Sequence, residues 1–491
     1  MIGNGVSMTS THKILKNYLW TLVNQLLNML FPLVTYGYAA RILLADNLGQ
    51  IAYGQSIVAY FAVVSSFGLG FYGTREIAKT YNSSFERSRV FWSLFSLKLF
   101  MGALSIAAYA LIVLRLDSLD RRLSIILGIA ILSAVFNSDW YFQGIEEFKW
   151  LTFRNFFVKT IGMSLTLLLV RNTNDLRIFA SIIVLSELLL NIFMFIRVAR
   201  LNSIKKTFLK PFRHFFPASF YLGSSLFITI SAQIQKTLIG TFIALSDVGY
   251  YLAAEKVFHA GLVLVTSLGP AAMARISAEE STDKSASDII ASKTFLWQSF
   301  IASALSGLLI VASKDLTVLL FGNAFARAST LLVFISIGLI PKAVVNWVAM
   351  NILVPKGNEK AFFWLFVLNA VLSVVTAYIL MLFFGVLGVA ISTAITEIVL
   401  LIVVLIVSRQ QRVLSRVIGA FRYYLALAVS LSVTFALSML SSVFFSLPIL
   451  PRLLLKVVVF GFIFLLVLWL AKDTILMILA NVFRKATKRR K

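Results

Sequence analysis

Long apolar runs alternate with short polar stretches along the whole chain, and the runs set the fold. The first covers about 17–40, and others follow at about 50–72, 90–114, 123–143, 152–170, 178–198 and 217–244. The series continues at about 249–273, 294–313, 328–354, 361–384, 386–408, 423–447 and 453–471. A helix needs about 20 mostly apolar residues to cross a bilayer. The pattern therefore predicts an all-α polytopic membrane protein of about 14 transmembrane helices. Most tryptophans, among them Trp20, Trp92, Trp140 and Trp469, fall near the ends of runs, where interfacial anchors belong. The first run is too long for a signal-peptide core and no small-x-small cleavage site follows it, so it reads as an uncleaved span.

Composition agrees. Of 491 residues, 59% are hydrophobic and 13% charged, which excludes a soluble or disordered chain. No linker is long enough for a separate soluble domain. Cysteine is absent, and the three histidines, His12, His214 and His259, lie in different segments. That leaves no disulfide framework, no expected metal site and no expected cofactor.

The net charge of +25 would suggest nucleic acid in a soluble protein. Its distribution gives another reason. With the N-terminus in the cytoplasm, inside segments hold about 30 Lys and Arg and outside segments about 10, a firm positive-inside signal. Arg75, Lys79, Arg200, Lys210 and Arg213 are inside on this reading; Arg41, Arg121, Arg122 and Arg177 are outside. An even number of helices places both termini in the cytoplasm. The basic tail, Arg484 to Lys491, then anchors to lipid headgroups rather than to nucleic acid.

A short internal repeat divides the chain. The turn Leu44-Ala45-Asp46-Asn47-Leu48-Gly49 resembles Leu245-Ser246-Asp247-Val248-Gly249, and Leu69-Gly70 with Arg75 recurs as Leu268-Gly269 with Arg275. Parallel repeats of this kind are one transporter design, with substrate held between the halves. The expected organisation is a six-helix lobe over 1–198, a basic cytoplasmic linker over 199–216 and a second six-helix lobe over 217–408. Helices 13 and 14 and the tail occupy 409–491.

A charge inside a bilayer costs about 2.5–3.5 kcal/mol even on lenient insertion scales, so such residues face a wet cavity, a partner or an interface. Lys98, Lys159, Lys236, Lys256 and Lys342 fall inside the runs, against Glu187, Glu255 and Glu397, with Asp139 near a run end. Lys236 sits in a small, polar stripe on helix 7 formed by Ser225, Thr229, Ala232 and Gly240, with Gln233 beside it. Helix 1 carries a matching stripe, Asn17, Thr21, Asn24 and Asn28, before Pro32, which should bend it. Helices 1 and 7 would then face each other across a cavity; interhelical hydrogen bonding is the plainer alternative for the amides. Glu255 and His259, four apart, share a helix face as a titrating or a structural pair. The excess of intramembrane cations points to an anionic substrate.

No G-x-x-x-x-G-K-[ST] loop, G-x-S-x-G or H-E-x-x-H motif is present. Gly68 to Gly73 spells G-x-G-x-x-G at the end of a span rather than after a strand, so it reads as a close-packed turn. The short outer loops leave little room for a catalytic site.

The stretch from Phe67 to Lys79, FGLGFYGTREIAK, resembles the end-of-helix-2 signature of bacterial polysaccharide flippases of the Wzx type. The stretch from Asn137 to Lys149, NSDWYFQGIEEFK, resembles the same family after helix 4. The resemblance extends over the whole chain in length and span pattern. It implies the multidrug/oligosaccharidyl-lipid/polysaccharide exporter superfamily, with two six-helix lobes in a V around a central cavity. It also implies an undecaprenyl-diphosphate-linked oligosaccharide, such as an O-antigen unit of lipopolysaccharide, moved between leaflets of the bacterial inner membrane by alternating access. A polysaccharide polymerase and a chain-length regulator become candidate partners. On this reading Lys236, Lys98, Lys159 and Lys342 are candidate substrate cations, with Arg41 at the outer mouth and Asn24, Asn28 and Gln233 lining the cavity. Glu187, Glu255, His259 and Glu397 are candidates for coupling or for ion pairing. A drug/cation antiporter of the same superfamily, a lipid-linked sugar polymerase and a scaffold remain as alternatives.

Overall fold

The computed structural model describes residues 8–80, 82–113, 120–202, 209–267, 269–280, 283–355, 358–407, 413–440, 447–473 and 475–477. The basic tail, Lys205, Lys206, Arg115, Leu268, Arg409 and Arg412 lie outside the described residues. Every described element is helical. The first eight helices are α1 (Met8–Ser66), α2 (Leu69–Lys79), α3 (Ser84–Val113), α4 (Arg121–Phe136), α5 (Asp139–Gly144), α6 (Phe148–Leu169), α7 (Leu176–Leu201) and α8 (Phe215–Phe242). Then come α9 (Leu245–Thr266), α10 (Gly269–Glu280), α11 (Lys284–Val311), α12 (Ser313–Phe321), α13 (Ala328–Ile337), α14 (Leu339–Val348), α15 (Glu359–Val407), α16 (Val413–Gly419), α17 (Phe421–Leu440) and α18 (Ile449–Leu470).

Among the described residues, 10 helices are long and apolar enough to cross a membrane, or 11 if the bent α13–α14 stretch counts as one span. Two of these far exceed one crossing: α1 has 59 residues and α15 has 49. Each is broken once, at Leu44 (φ 65°, ψ 179°) and at Gly385 (φ 58°, ψ −138°). In α1 the break falls at Leu44, while the chain stays helical through Pro32. α6 coincides with the expected fifth span but carries Lys149, Arg154 and Lys159 among its first twelve residues. Large apolar side chains lie open on the outer faces of the helices, such as Leu111, Phe157, Leu382 and Trp469, as lipid contact requires.

Asp120 caps α4, its side chain accepting from the Arg122 amide at 3.2 Å. Burial opposes ionisation of this carboxyl, but the bonds from Arg177 and the Arg122 amide outweigh it and hold its pKa below the usual range. Asp283 caps α11 through the amides of Ser285 and Ala286.

The chain packs as two units, Met1–Leu252 with Phe366–Val389, and Ala253–Leu365 with Ala390–Lys491. In the first, Phe67, Phe91, Trp140, Tyr141 and Phe142 form a buried aromatic core. Gly68, in the left-handed region at φ 68°, turns the chain from α1 into α2. The two signature stretches pack directly together there. A Cβ on Gly73 would lie 2.7 Å from the Trp140 ring, and one on Gly144 would lie 2.7 Å from Ile77.

The turn repeat also becomes a contact. A Cβ on Gly49 would collide with the Leu245 carbonyl oxygen, and a Cβ on Gly249 would collide with the Ala45 carbonyl oxygen. The two glycines make the same approach in both directions. In the second unit, Arg452 and Lys456 of α18 both donate to Asp315 at 2.7 Å, tying the last helix to α12.

Candidate functional site

The charged residues of the first unit converge on α6. Thr152, Asn155, Lys159, Gly162 and Thr166 recur at intervals of three and four, which places them on one face. Phe157, Ile161 and Leu168 occupy the opposite, exposed face. The polar face zips onto the first half of α1. Thr152 Oγ1 donates to the Trp20 carbonyl at 3.0 Å, Asn155 Nδ2 donates to Asn24 Oδ1 at 2.6 Å, and Lys159 Nζ donates to Asn28 Oδ1. Tyr38 OH donates to the Val170 carbonyl at 3.1 Å. Numbers rise together on both helices, so the two run parallel. The partner of the helix 1 stripe is thus α6. Asn17 and Thr21 of that stripe are outside the described side chains.

A charge network surrounds this seam. Arg154 donates through both terminal nitrogens to the Asp139 carboxylate, one bond being 3.2 Å, and to Asn155 Oδ1 at 2.9 Å. Asp139 begins α5 and its charge also acts on Lys98, whose ammonium donates to the Asn137 carbonyl at 2.6 Å. Lys98 is 1% exposed. Glu187 on α7 interacts electrostatically with Asp139, Lys159 and Arg154. Lys159 lies eleven residues beyond the start of α6, about 16 Å along its axis. The structure thus unites Asn24, Asn28, Lys98, Lys159 and Glu187 from the sequence reading, and adds Arg154 and Asp139 as a pair. The polar three-four spacing on α6 is the signal that could have placed Arg154 next to this face.

The other predicted residues lie elsewhere. Lys236 is buried on α8, which packs on the second half of α1. Tyr53 pairs there with Thr241 at 3.1 Å, and Ser56 and Tyr60 pair with Thr237 at 3.0 and 3.1 Å. Gln233 is half-buried on α8, and Arg41 is exposed on α1. In the second unit, Lys342 on α14 donates to buried Glu397 on α15. His259 Nε2 lies 3.8 Å from Glu255, whose charge also acts on Lys256. Among the described residues no three His, Asp or Glu side chains gather as metal ligands would. Chemically, the α6 cluster is a set of ammonium and guanidinium donors, those of Lys98 and Arg154 buried, with acids that balance most of their charge. Such a set can hold an anion or exchange a proton.

The sequence profile described as polysaccharide biosynthesis protein matches residues 14–278, just over half the chain. A protein of Escherichia coli (strain K12) named "Putative O-antigen transporter" is 24% identical over 406 residues, 81% of this chain and 97% of that one. One of the same name from Shigella dysenteriae is 23% identical and covers 77% of this chain and 96% of its own. Among solved structures, the lipid II flippase MurJ in an inward closed conformation aligns over 96% of this chain and 100% of its own, with a TM-score of 0.56 and 14% identity. An inward-facing multidrug resistance MATE family transporter of the MOP superfamily aligns over 85% and 96%, with a TM-score of 0.60 and 14% identity. The polytopic helical fold is that of these exporters.

Proposed function

The chain belongs to the polysaccharide biosynthesis protein family, and from that membership we propose that it is a flippase for lipid-linked oligosaccharide. The cargo is an undecaprenyl-diphosphate-linked repeat unit of a surface polysaccharide, carried from the cytoplasmic to the periplasmic leaflet of the bacterial inner membrane. The names of the Escherichia coli and Shigella relatives, and of the flippase that shares the fold, support this reading.

The observation that carries it is the α6 cluster. Lys98 and Lys159 fall inside apolar runs and Arg154 at the edge of one, and the three are only partly balanced by Asp139 and Glu187. Such charges are retained in hydrocarbon when they serve a polar cargo. A diphosphate leaving water needs replacement donors, and the cations of the first unit are groups of that chemistry; Lys236 and Lys342 are further candidates, each at its own place in the fold. Glu187, Glu255 with His259, and Glu397 are the candidates to couple the cycle to an ion gradient. Counting two spans in each of α1 and α15, one in α13–α14 and one in α6 gives fourteen, an even number that would put both termini on one side, the cytoplasmic side by the excess of cations there. The lobes over 1–198 and 217–408 would alternate in access, helices 13 and 14 being an addition. A polymerase and a chain-length regulator are the expected downstream partners.

The test is the leaflet that holds the lipid-linked unit in a deletion strain, read with a membrane-impermeant sugar-modifying reagent. Cytoplasmic trapping relieved by the wild-type gene is the expected result; periplasmic accumulation of single units would point to polymerisation instead. Lys159→Gln should restore export about tenfold less well at equal protein level, a barrier increase of about 1.4 kcal/mol.

A further inference from the structure

One end of the first unit holds a second polar feature that transport through the helices does not use. A cavity of about 460 Å³ opens between the ends of α2, α3 and α8. The 3-10 turn Pro211–His214 forms one wall. Five cations line it: Arg75, Lys79, Arg89, Lys210 and Arg213. Two acids accompany them, Glu76 and Glu86, so the lining carries a formal charge of +3 with His214 neutral. Each acid already has a cation: Lys79 donates to Glu76 at 2.6 Å, and Arg89 lies 3.8 Å from Glu86.

The walls are fixed by contacts outside these pairs. Arg75 donates to Tyr221 OH at 3.1 Å, Tyr72 OH meets His214 Nδ1 at 2.8 Å, and the Lys210 amide donates to Ser93 Oγ at 3.3 Å. The 28-residue α8 starts beside the cavity and adds the positive end of its dipole. Cations that serve only to set topology need to face water, and nothing requires them to converge. Here they enclose a concavity far larger than one phosphate ion, with charge in excess of its acids.

We propose that this pocket binds a phosphate-bearing anion of diphosphate size at the membrane surface, as a site separate from the α6 cluster. The phosphate can belong to an anionic phospholipid headgroup or to the diphosphate of the cargo. Binding of either is independent of whether the protein flips it, so failure here leaves the transport reading untouched.

The experiment uses the full-length protein in nanodiscs of phosphatidylcholine, titrated with radiolabelled inorganic diphosphate. Saturable binding is expected. It should weaken about tenfold in Lys210→Gln and in Arg213→Gln, recover in Arg213→Lys, and stay unchanged in Arg122→Gln at the opposite end. Repeating the titration in discs that contain phosphatidylglycerol separates the sources. Competition by that lipid, lost in the same variants, assigns the pocket to a lipid headgroup; its absence assigns it to the cargo diphosphate. Absence of saturable diphosphate binding in both disc types, or binding indifferent to Lys210→Gln, overturns the proposal. Lys210 is exposed, so its variant carries the test even where Arg213→Gln does not fold.

Discussion

Removing the Asp139 carboxylate would leave the Arg154 guanidinium, 7% exposed, facing Asn155 without its counter-charge. Breaking a buried pair from one side costs about 3 kcal/mol, whereas replacing both members with apolar groups is often neutral. Asp139→Ala should therefore lower the thermal unfolding temperature of the detergent-solubilised protein. Asp139→Leu with Arg154→Met should restore most of it. An Asp139→Ala variant that melts with the wild type would refute the structural role of the pair. At this scale the sequence exposed Lys98, Lys159 and Glu187, because a charge inside an apolar run has no cheap explanation. Asn24 and Asn28 were readable from their spacing. The Arg154–Asp139 pair was not, because each member sits at the edge of a run, where a charge looks like an interfacial anchor. Their meeting depends on the short α5 turn, which hydropathy does not register.

Breaks in the long helices belong to the scale of the element. Gly385 holds a backbone conformation close to glycine-only, and open space surrounds the position where a Cβ would stand. Gly385→Ala should then destabilise by about 1–3 kcal/mol through the backbone alone. Gly461→Ala, in ordinary helical conformation with the same open space, should not. Comparing the thermal unfolding of the two variants checks this, and equal melting would place the break at Gly385 outside any need for glycine. The apolar runs fall on helices, since a membrane allows little else, though 10 or 11 of the described helices are long and apolar enough to cross one. What the runs could not give was continuity. The helix passes through the polar turn at Asp46 with a single break at Leu44, and the packing of the following residues against Leu245 is invisible to a hydropathy profile.

For the whole molecule, the imbalance of cations between the two ends makes orientation a measurable quantity. The chain has no cysteine, so single cysteines can be introduced without background. Arg122→Cys and Arg200→Cys occupy exposed positions at opposite ends of the first unit. With cytoplasmic termini, an impermeant maleimide should label Arg122→Cys in intact spheroplasts and Arg200→Cys only after permeabilisation. The reverse pattern would invert the topology. The reciprocal approach of Gly49 and Gly249 has a further meaning at this scale. Matching residues that touch each other's partners define a local two-fold axis, the geometry of an isologous dimer contact. That single constraint stands at two addresses about 200 residues apart, Gly49 and Gly249, and a side chain gained at either one must displace the backbone of the other's turn.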